Sequence, residues 1–261
     1  YRNSVNREVF RFPKRRFPKN LLGKVIGIAA EQGLGDQLFF ARFFPVLKRR
    51  GAKIFFEPDE KLASIFNRVD EVIISQAEKM QFAMGDLPYL LGSDNPVGSI
   101  RIEPLEDQLV SMRQKLNNLG PPPFIGVTYR AGGVSSNTLF KAVSVEDIAS
   151  SLRHIQGTIV CLQRNPKPGE LDLFSLSLKR EVFDFSQINN NLEEALALIS
   201  LLDDYVGVSN TNMHLRAAVG KPARVLVTHP GEFRWQVEGK ISPWFPSFCL
   251  YRQSNDRSWD C

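Results

Sequence analysis

Residues 24–50 read KVIGIAAEQGLGDQLFFARFFPVLKRR and contain the pattern that decides the fold. An apolar run from Lys24 to Ala30 has the length of a strand, and a glycine turn follows it. After the turn, apolar residues recur at helical spacing and predict a helix from Asp36 to Arg50. Pro45 is expected to kink this helix, because proline lacks the amide hydrogen that a helix interior needs.

The same alternation continues along the chain and restarts after a proline-rich break. The run Gly120-Pro121-Pro122-Pro123 predicts a domain boundary, since proline runs form stiff, extended spacers. Ser144 and Asn191 are each followed three residues later by an acidic residue and are expected to cap helices. Strands are predicted at 24–30, 53–57, 69–75, 124–129, 158–163, 181–185, 205–208, 224–227 and 248–252, with loops at 80–102.

This order of elements predicts an α/β fold with two Rossmann-like parallel-sheet domains, because alternating strands and helices form parallel sheets covered by helices. The expected domains are residues 23–120 and 121–253, facing each other across a cleft. Residues 1–22 are expected to form a basic linker from a preceding region of a longer protein, and residues 254–261 a tail.

Composition excludes several classes of protein. The longest apolar runs of the 261 residues are too short for a transmembrane helix. Cys161, Cys249 and Cys261 are odd in number and lack the spacing of metal ligands, which predicts a reducing, cytoplasmic environment and no zinc site. No Asp-x-Asp pair occurs to hold a divalent cation against a diphosphate, so no metal and no other cofactor is expected.

The amino-terminal segment is strongly basic and permits two interpretations. Six cations lie between Arg7 and Lys19, interleaved with phenylalanines, as in a patch that binds nucleic acid or an anionic surface. Pro13 and Pro18 favour instead an extended, solvated linker. The linker is the interpretation adopted here, and no nucleic-acid partner is expected.

Three groups of residues at predicted strand ends are candidates for chemistry, because open α/β sheets bind their ligands there. The first is Gly33-Leu34-Gly35-Asp36, where Asp36 is either a functional carboxylate or a helix cap. The second is Ser209-Asn210-Thr211-Asn212 with His214, either an anion site at a helix start or plain capping beside a core histidine. The third is a set of cations that would suit a diphosphate if they converge, namely Arg130, Lys141 and Arg234.

The order of these segments resembles that of a known family. The stretches Glu31-Gln32-Gly33-Leu34-Gly35-Asp36-Gln37, His214-Leu215-Arg216-Ala217-Ala218-Val219-Gly220-Lys221-Pro222 and Ser242-Pro243-Trp244-Phe245-Pro246 are similar to the glycosyltransferase domain that follows tetratricopeptide repeats in many bacterial proteins. That group is similar to the family 9 heptosyltransferases, which have the GT-B fold. The likeness covers roughly residues 10–253.

The resemblance implies a function and roles for the candidate residues. It implies a metal-independent, inverting glycosyltransferase that uses a nucleotide-sugar donor. The implied acceptor is a hydroxyl group on a glycan, a lipopolysaccharide-like molecule or a protein. The resemblance also implies a preceding tetratricopeptide-repeat region. Asp36 matches the catalytic base, Lys141 a lysine near the donor phosphate, and residues 209–212 with His214 the loop that holds the diphosphate. Relatives usually have Asp-Thr where this chain has Ser209-Asn210. The alternative function is therefore a catalytically silent module that binds a sugar nucleotide or a carbohydrate.

Overall fold

The computed structural model describes residues 16–31, 33–70, 72–74, 80–92, 96–131, 141–256 and 258–259. They divide into two compact units, with the division between Ile102 and Glu103. Most of the basic segment and Cys261 lie outside the described residues, so the predictions that concern them are not addressed by the structure.

The first unit is built on a four-stranded parallel sheet in the order β3-β2-β1-β4. The strands are β1 (Val25–Ala29), β2 (Lys53–Glu57), β3 (Val72–Ile74) and β4 (Phe82–Ala83). The helices are α1 (Leu34–Phe40), α2 (Phe44–Arg49), α3 (Glu60–Phe66) and α4 (Leu87–Leu91), with short 3-10 helices at Ala41–Phe43 and Met84–Asp86. Three buried rings, Phe44, Phe56 and Phe66, pack edge-on or tilted at centroid distances of 5.0–6.3 Å in its core.

Two predictions for this unit need correction. The single kinked helix is two helices, because a 3-10 turn separates α1 from α2 and places Pro45 in the first turn of α2, where a missing amide hydrogen costs nothing. The segment 80–102 is not only loops: it contains β4 and α4. Pro88 occupies the first turn of α4 and Gly92 ends it in the left-handed conformation.

The second unit is built on a seven-stranded sheet in the order β10-β11-β9-β8-β5-β6-β7. The strands are β5 (Phe124–Thr128), β6 (Thr158–Cys161), β7 (Val182–Asp184), β8 (Asp204–Val208), β9 (Ala223–Val227), β10 (Ile241–Ser242) and β11 (Phe245–Arg252), all parallel except β10. The helices are α5 (Glu106–Asn117), α6 (Val145–Leu152), α7 (Glu170–Leu178), α8 (Leu192–Leu201) and α9 (Thr211–Ala218), with 3-10 helices at Ser186–Asn190 and Phe233–Trp235.

Local capping signals in this unit are confirmed. The hydroxyl of Ser144 accepts a hydrogen bond from the amide of Asp147 at 3.0 Å and starts α6. The side chain of Asn191 accepts from the amides of Glu193 and Glu194 and donates to the Glu194 carboxylate at 3.0 Å, so it starts α8. Helix α7 has no counterpart in the sequence prediction. Two of its apolar residues, Leu173 and Leu176, are exposed, so its periodicity is weak.

The units divide earlier along the chain than the proline run suggested. Helix α5 was expected in the first domain, but it packs against α8 of the second unit, and Lys115 lies 3.7 Å from Glu194. The break at 120–123 therefore lies inside the second unit, between α5 and β5. Tertiary packing of the helix decides the boundary, and the local stiffness of the prolines does not.

The described residues of the expected linker and tail are folded. The amides of Phe17 and Leu21 donate to the carbonyls of Leu90 and Arg50, each at 2.6 Å, and Leu21 is buried, so these residues belong to the first unit. In the tail, the amide of Ser254 donates to the carbonyl of Ser258 at 3.0 Å, and Gln253 pairs with Trp259 in an antiparallel bridge.

The sheet order of the second unit defines a switch point. From β5 the chain adds β6 and β7 on one side and then crosses to add β8 and β9 on the other. The connections after β5 and β8 consequently leave in opposite directions, which opens a crevice at their carboxyl ends. Open α/β sheets bind nucleotides in such crevices, so the residues that follow these two strands are the first candidates for a site.

Candidate functional site

Asn210 connects the ends of the two strands that border the switch point. Its side-chain oxygen accepts from the amide of Met213 at 3.2 Å, and its amide nitrogen donates to the hydroxyl of Thr128 at 2.9 Å. The Thr128 hydroxyl also lies 2.9 Å from the hydroxyl of Tyr205. A side chain at Gly207 would come within 2.3 Å of that threonine oxygen, so glycine is required for β5 and β8 to approach here. Asn210 therefore caps α9 and holds the site's scaffold together.

A carboxylate that the sequence analysis did not identify, Glu232, lies at the centre of the site. It accepts hydrogen bonds from the Lys141 ammonium, from the Ser209 hydroxyl at 3.0 Å and from the Arg234 guanidinium at 3.1 Å. Lys141 pairs through its backbone with the end of β5, where the amide of Ala131 donates to its carbonyl at 2.9 Å. Ser209 follows β8, and Glu232 and Arg234 follow β9. Three strand-end loops thus converge on one carboxylate, and these four residues are called the Glu232 cluster below.

Opposite charges keep Glu232 ionised although it is largely buried. Burial by itself raises the pKa of its carboxyl, but the positive charges of Lys141 and Arg234 and the hydrogen bonds from Lys141 and Ser209 outweigh burial, so the pKa lies below its ordinary value. The side chains of Glu232 and Arg234 are 9% and 4% exposed, whereas that of Lys141 is 24% exposed. With two cations and one carboxylate, the cluster has a formal charge of plus one.

A small pocket opens beside the cluster. It has an empty volume of about 210 Å³ that includes open solvent, and its lining includes Lys141, Ser209, Glu232 and Trp235. The other lining residues are the last two residues of β9 and three residues of the loop that follows it, namely Leu226, Val227, Thr228, Pro230 and Gly231. A cation, a hydroxyl and a solvent-facing opening at the carboxyl edge of a parallel sheet are the features of an anion-binding site.

Arg130, another predicted donor-binding cation, is engaged elsewhere. Its guanidinium forms a bidentate ion pair with Glu170, at 2.6 and 3.2 Å, and donates to the carbonyl of Asn165 at 3.1 Å. The bond to Glu170 is the main reason that the pKa of Arg130 is raised. The sequence predicted that Arg130, Lys141 and Arg234 converge; the structure unites Lys141 and Arg234 on Glu232, and the bonds recorded for Arg130 attach it to α7 and the loop before it.

The start of helix α9 is mostly buried. Asn212 donates to the side-chain oxygen of Asn189 at 3.2 Å, and His214 packs with its ring centroid 5.7 Å from that of Phe245. Thr211, the first helical residue, is partly exposed. Asn210 and Thr211 are therefore the partly exposed members of the predicted 209–212 group. Ser209, Asn212 and His214 are buried, and the hydroxyl of Ser209 is held by Glu232.

In the first unit, Asp36 lies in the first turn of α1, and the cap position is occupied by Gly33. The amide of Asp36 donates to the carbonyl of Gly33 at 3.0 Å. A methyl group added at Gly33 would lie 2.7 Å from the carboxylate oxygen Oδ2 of Asp36. The glycine therefore leaves room for the carboxylate over the turn. Gly35 is the second residue of the helix. Because Gly33 occupies the cap position, the alternative interpretation of Asp36 as the cap residue does not hold.

Glu232 was missed because its partners come from distant parts of the chain. Lys141 and Ser209 precede it by 91 and 23 residues, and no local pattern connects them. The sequence contains only a weak signal for Glu232, which lies two residues before the predicted functional Arg234 in the loop that follows a predicted strand. Among the described residues, no group of three or more histidine, cysteine, aspartate or glutamate side chains is placed to hold a metal ion.

The fold and the cluster define a mixed α/β protein with two units built on parallel sheets, as expected, and with a cationic site at the switch point of the second sheet. This is the fold of family 9 glycosyltransferases. A family 9 glycosyltransferase from Veillonella parvula DSM 2008 superposes with a TM-score of 0.64 at 12% identity, over 89% of this chain and 87% of that one. The Escherichia coli ADP-heptose lipopolysaccharide heptosyltransferase II superposes with a TM-score of 0.60 at 11% identity, over 87% and 89%.

One further solved structure and one further sequence are similar to most of this chain. The iron-containing dodecameric heptosyltransferase TibC, in complex with ADP-D-beta-D-heptose, superposes with a TM-score of 0.52 at 12% identity, over 90% of this chain and 66% of TibC. Protein FlbA of Caulobacter vibrioides is 25% identical over 284 aligned positions, which include 96% of this chain. The chain spans only 47% of the length of FlbA. No protein-family model matches the chain.

Within the described part of the chain, no helix is both long and apolar enough to cross a membrane.

Proposed function

We propose that the chain is the sugar-transfer module of a GT-B glycosyltransferase, which moves a sugar from a nucleotide-activated donor to a hydroxyl group. The observation that carries the proposal is the Glu232 cluster at the switch point of the second sheet. Two cations and a hydroxyl from three strand-end loops converge there on one carboxylate, and Lys141 and Ser209 line the adjoining pocket. Its fold is similar to that of a family 9 glycosyltransferase and to that of the heptosyltransferase TibC, which has a structure in complex with ADP-D-beta-D-heptose.

The donor's diphosphate is proposed to bind at the Glu232 cluster. Lys141 supplies a partly exposed positive charge, and the hydroxyl of Ser209 and the amino-terminal end of α9 supply hydrogen-bond donors. As the bond between the sugar and the diphosphate breaks, negative charge grows on the leaving phosphate. A lysine ammonium already in place stabilises that charge without a metal ion.

The acceptor hydroxyl is proposed to attack the anomeric carbon of the donor while a carboxylate takes its proton. A new carbon–oxygen bond forms, the bond to the diphosphate breaks with its electron pair on the phosphate oxygen, and the configuration at the carbon inverts. Asp36 is the proposed base, because its carboxylate lies over the glycine turn at the start of α1 and is partly exposed. ADP-heptose is the first donor to test, and the acceptor is a glycan, a lipopolysaccharide-like molecule or a protein.

A second candidate function is binding of a sugar nucleotide without turnover. Two observations favour it. The side-chain nitrogen and oxygen of Asn210 are already bonded to Thr128 and to the amide of Met213, and Glu232 neutralises one of the two cations. The two functions differ in one measurable property. The enzyme releases nucleoside diphosphate from its bound donor over time, whereas the binding module returns the donor intact.

Calorimetry with a nucleoside diphosphate in the presence of EDTA tests the proposed donor site. Lys141→Met should weaken binding at least about tenfold, because a charge-assisted contact to phosphate contributes roughly 1.5–3 kcal/mol. Lys115→Met is the matched control: it also removes a lysine paired with a glutamate in the same unit, but on α5. Equal loss in both variants, or strict dependence on magnesium or manganese, contradicts the proposal.

A further inference from the structure

Glu232 already binds the cations that a donor phosphate would need. One of its oxygens accepts from Lys141, and the other accepts from Ser209 and Arg234. All three partners are hydrogen-bond donors of the kind that hold phosphate oxygens. In the described structure, the carboxylate of Glu232 therefore stands where an anionic ligand would make the same contacts.

We propose that Glu232 is an internal counter-ion that the donor diphosphate displaces from Lys141, and that it thereby sets the affinity and charge selectivity of the site. The inference deepens the proposed function and rests on it for the identity of the donor. Glu232 is a specificity-determining residue in this proposal, since it acts on the ligand through Lys141.

Lys141 is the partner that exchanges, and Arg234 is the partner that stays. The side chain of Lys141 is 24% exposed and has a flexible four-carbon stem, so its ammonium can turn to a ligand while its carbonyl keeps the hydrogen bond from the amide of Ala131. The side chain of Arg234 is 4% exposed, and its guanidinium lies 4.7 Å from the centre of the Phe233 ring. When Lys141 turns to a phosphate, Arg234 still neutralises Glu232, so no buried charge is left without compensation.

This exchange selects for ligands with more than one negative charge. A ligand at the cluster must replace the attraction between Lys141 and Glu232. It also meets repulsion from the Glu232 carboxylate, because like charges placed close together oppose binding. A diphosphate has additional oxygens with which to bind Ser209 and the helix start. A singly charged anion makes fewer contacts and meets the same opposition.

Isothermal titration calorimetry with inorganic pyrophosphate, in EDTA and at fixed salt, tests the inference. Glu232→Gln keeps the shape and an acceptor for Ser209 but removes the negative charge. We expect it to bind pyrophosphate about tenfold more tightly than the wild type, which corresponds to about 1.4 kcal/mol. In a Lys141→Met background the same substitution should tighten binding much less, because the competition for Lys141 has already been removed. Asp204→Asn is the matched control, since Asp204 pairs with Arg224 at 2.6 Å at the opposite end of the same two strands.

Glu232→Asp is a second variant that can be tested if Glu232→Gln does not fold. It retains a negative charge for the buried Arg234, but its shorter side chain reaches less far toward Lys141. It should therefore tighten pyrophosphate binding by a smaller factor. Unchanged or weaker binding by the folded variants shows that Glu232 only positions the cations and overturns the inference, as does absence of pyrophosphate binding in all proteins. The proposed function fails separately, if pyrophosphate binds as expected but no nucleotide sugar does.

Discussion

Replacing Gly33 by alanine displaces the carboxylate of Asp36 without removing it. The added methyl group would lie 2.7 Å from Oδ2, where ordinary contact begins at 3.4 Å, so the oxygen must move by about 0.7 Å. The backbone of Gly33 is extended, at φ −90° and ψ 131°, which alanine adopts freely. The substitution therefore acts on the position of one side chain.

The size of the effect follows from this displacement. A misplacement of about 1 Å at a catalytic group costs up to roughly a hundredfold in rate, so Gly33→Ala should lower kcat by about ten- to a hundredfold. The free energy of unfolding should change by less than about 1 kcal/mol, because alanine is a poorer cap than glycine but reduces the freedom of the unfolded chain. Asp36→Asn, which removes the proton acceptor, should lower kcat by about a hundredfold or more.

Release of nucleoside diphosphate from the donor, in transfer to an acceptor or in hydrolysis by water, measures the rate, and urea unfolding measures stability. Gly98→Ala is the control, because a methyl group there meets no atom within 4 Å. Full turnover by folded Gly33→Ala and Asp36→Asn proteins would refute the role of Asp36 and leave it a residue of the first helical turn.

Three further predictions concern stability and reactivity in the second unit. Arg216 is fully buried and donates to four backbone carbonyls at 2.6–3.4 Å, those of Ile199, Leu202, Asp203 and Pro222. Arg216→Met should therefore destabilise the protein by about 4 kcal/mol in urea unfolding, since each carbonyl left without a donor costs about 1 kcal/mol. A change below about 1 kcal/mol would contradict this. Because the pKa of Glu232 is lowered in the folded protein, its ion pairs stabilise the fold fully above the pKa of the unfolded carboxyl, about 4.3, and that contribution is lost as the pH falls through the folded pKa. Acid-unfolding curves of Glu232→Gln should lack this component. A curve parallel to that of the wild type would count against it. Burial raises the pKa of Cys161 to about 12, whereas Cys249 is exposed. A thiol reagent should therefore label Cys249 in the native protein and Cys161 only after unfolding, as measured by peptide mass spectrometry. Rapid labelling of Cys161 in the native protein would contradict this.

Features that depend on neighbours in the chain were predictable. The helix starts at Ser144 and Asn191 follow from side chains that bond to amides two or three residues away. Residues at strand ends were identified as candidates because parallel strands deliver their following loops to one edge of the sheet. The general fold class required only the alternation of apolar runs.

Features that depend on distant contacts were not predictable. The domain boundary was misplaced because α5 looks the same in sequence whichever unit it packs against, and only its contact with α8 assigns it. Arg130 and Lys141 looked equivalent, yet Glu170 pairs with Arg130 and Glu232 with Lys141. These pairings are set by the positions of α7 and of the loop after β9, which no local spacing encodes.

A thermal-shift screen of nucleotide sugars tests most directly whether the Glu232 cluster binds an activated sugar. At a hundred times its dissociation constant, the right nucleotide sugar should stabilise the protein by about 2.7 kcal/mol, a rise of roughly 5–10 °C in Tm. The rise should persist in EDTA and at moderate salt. At the same ligand concentration Lys141→Met should lower it by about half or more, because a tenfold weaker affinity leaves about 1.4 kcal/mol of stabilisation, while Lys115→Met leaves it intact. Absence of a shift with every nucleotide sugar, together with a salt-sensitive shift caused by nucleic acid, would contradict the account, because that pattern marks binding to a phosphate backbone.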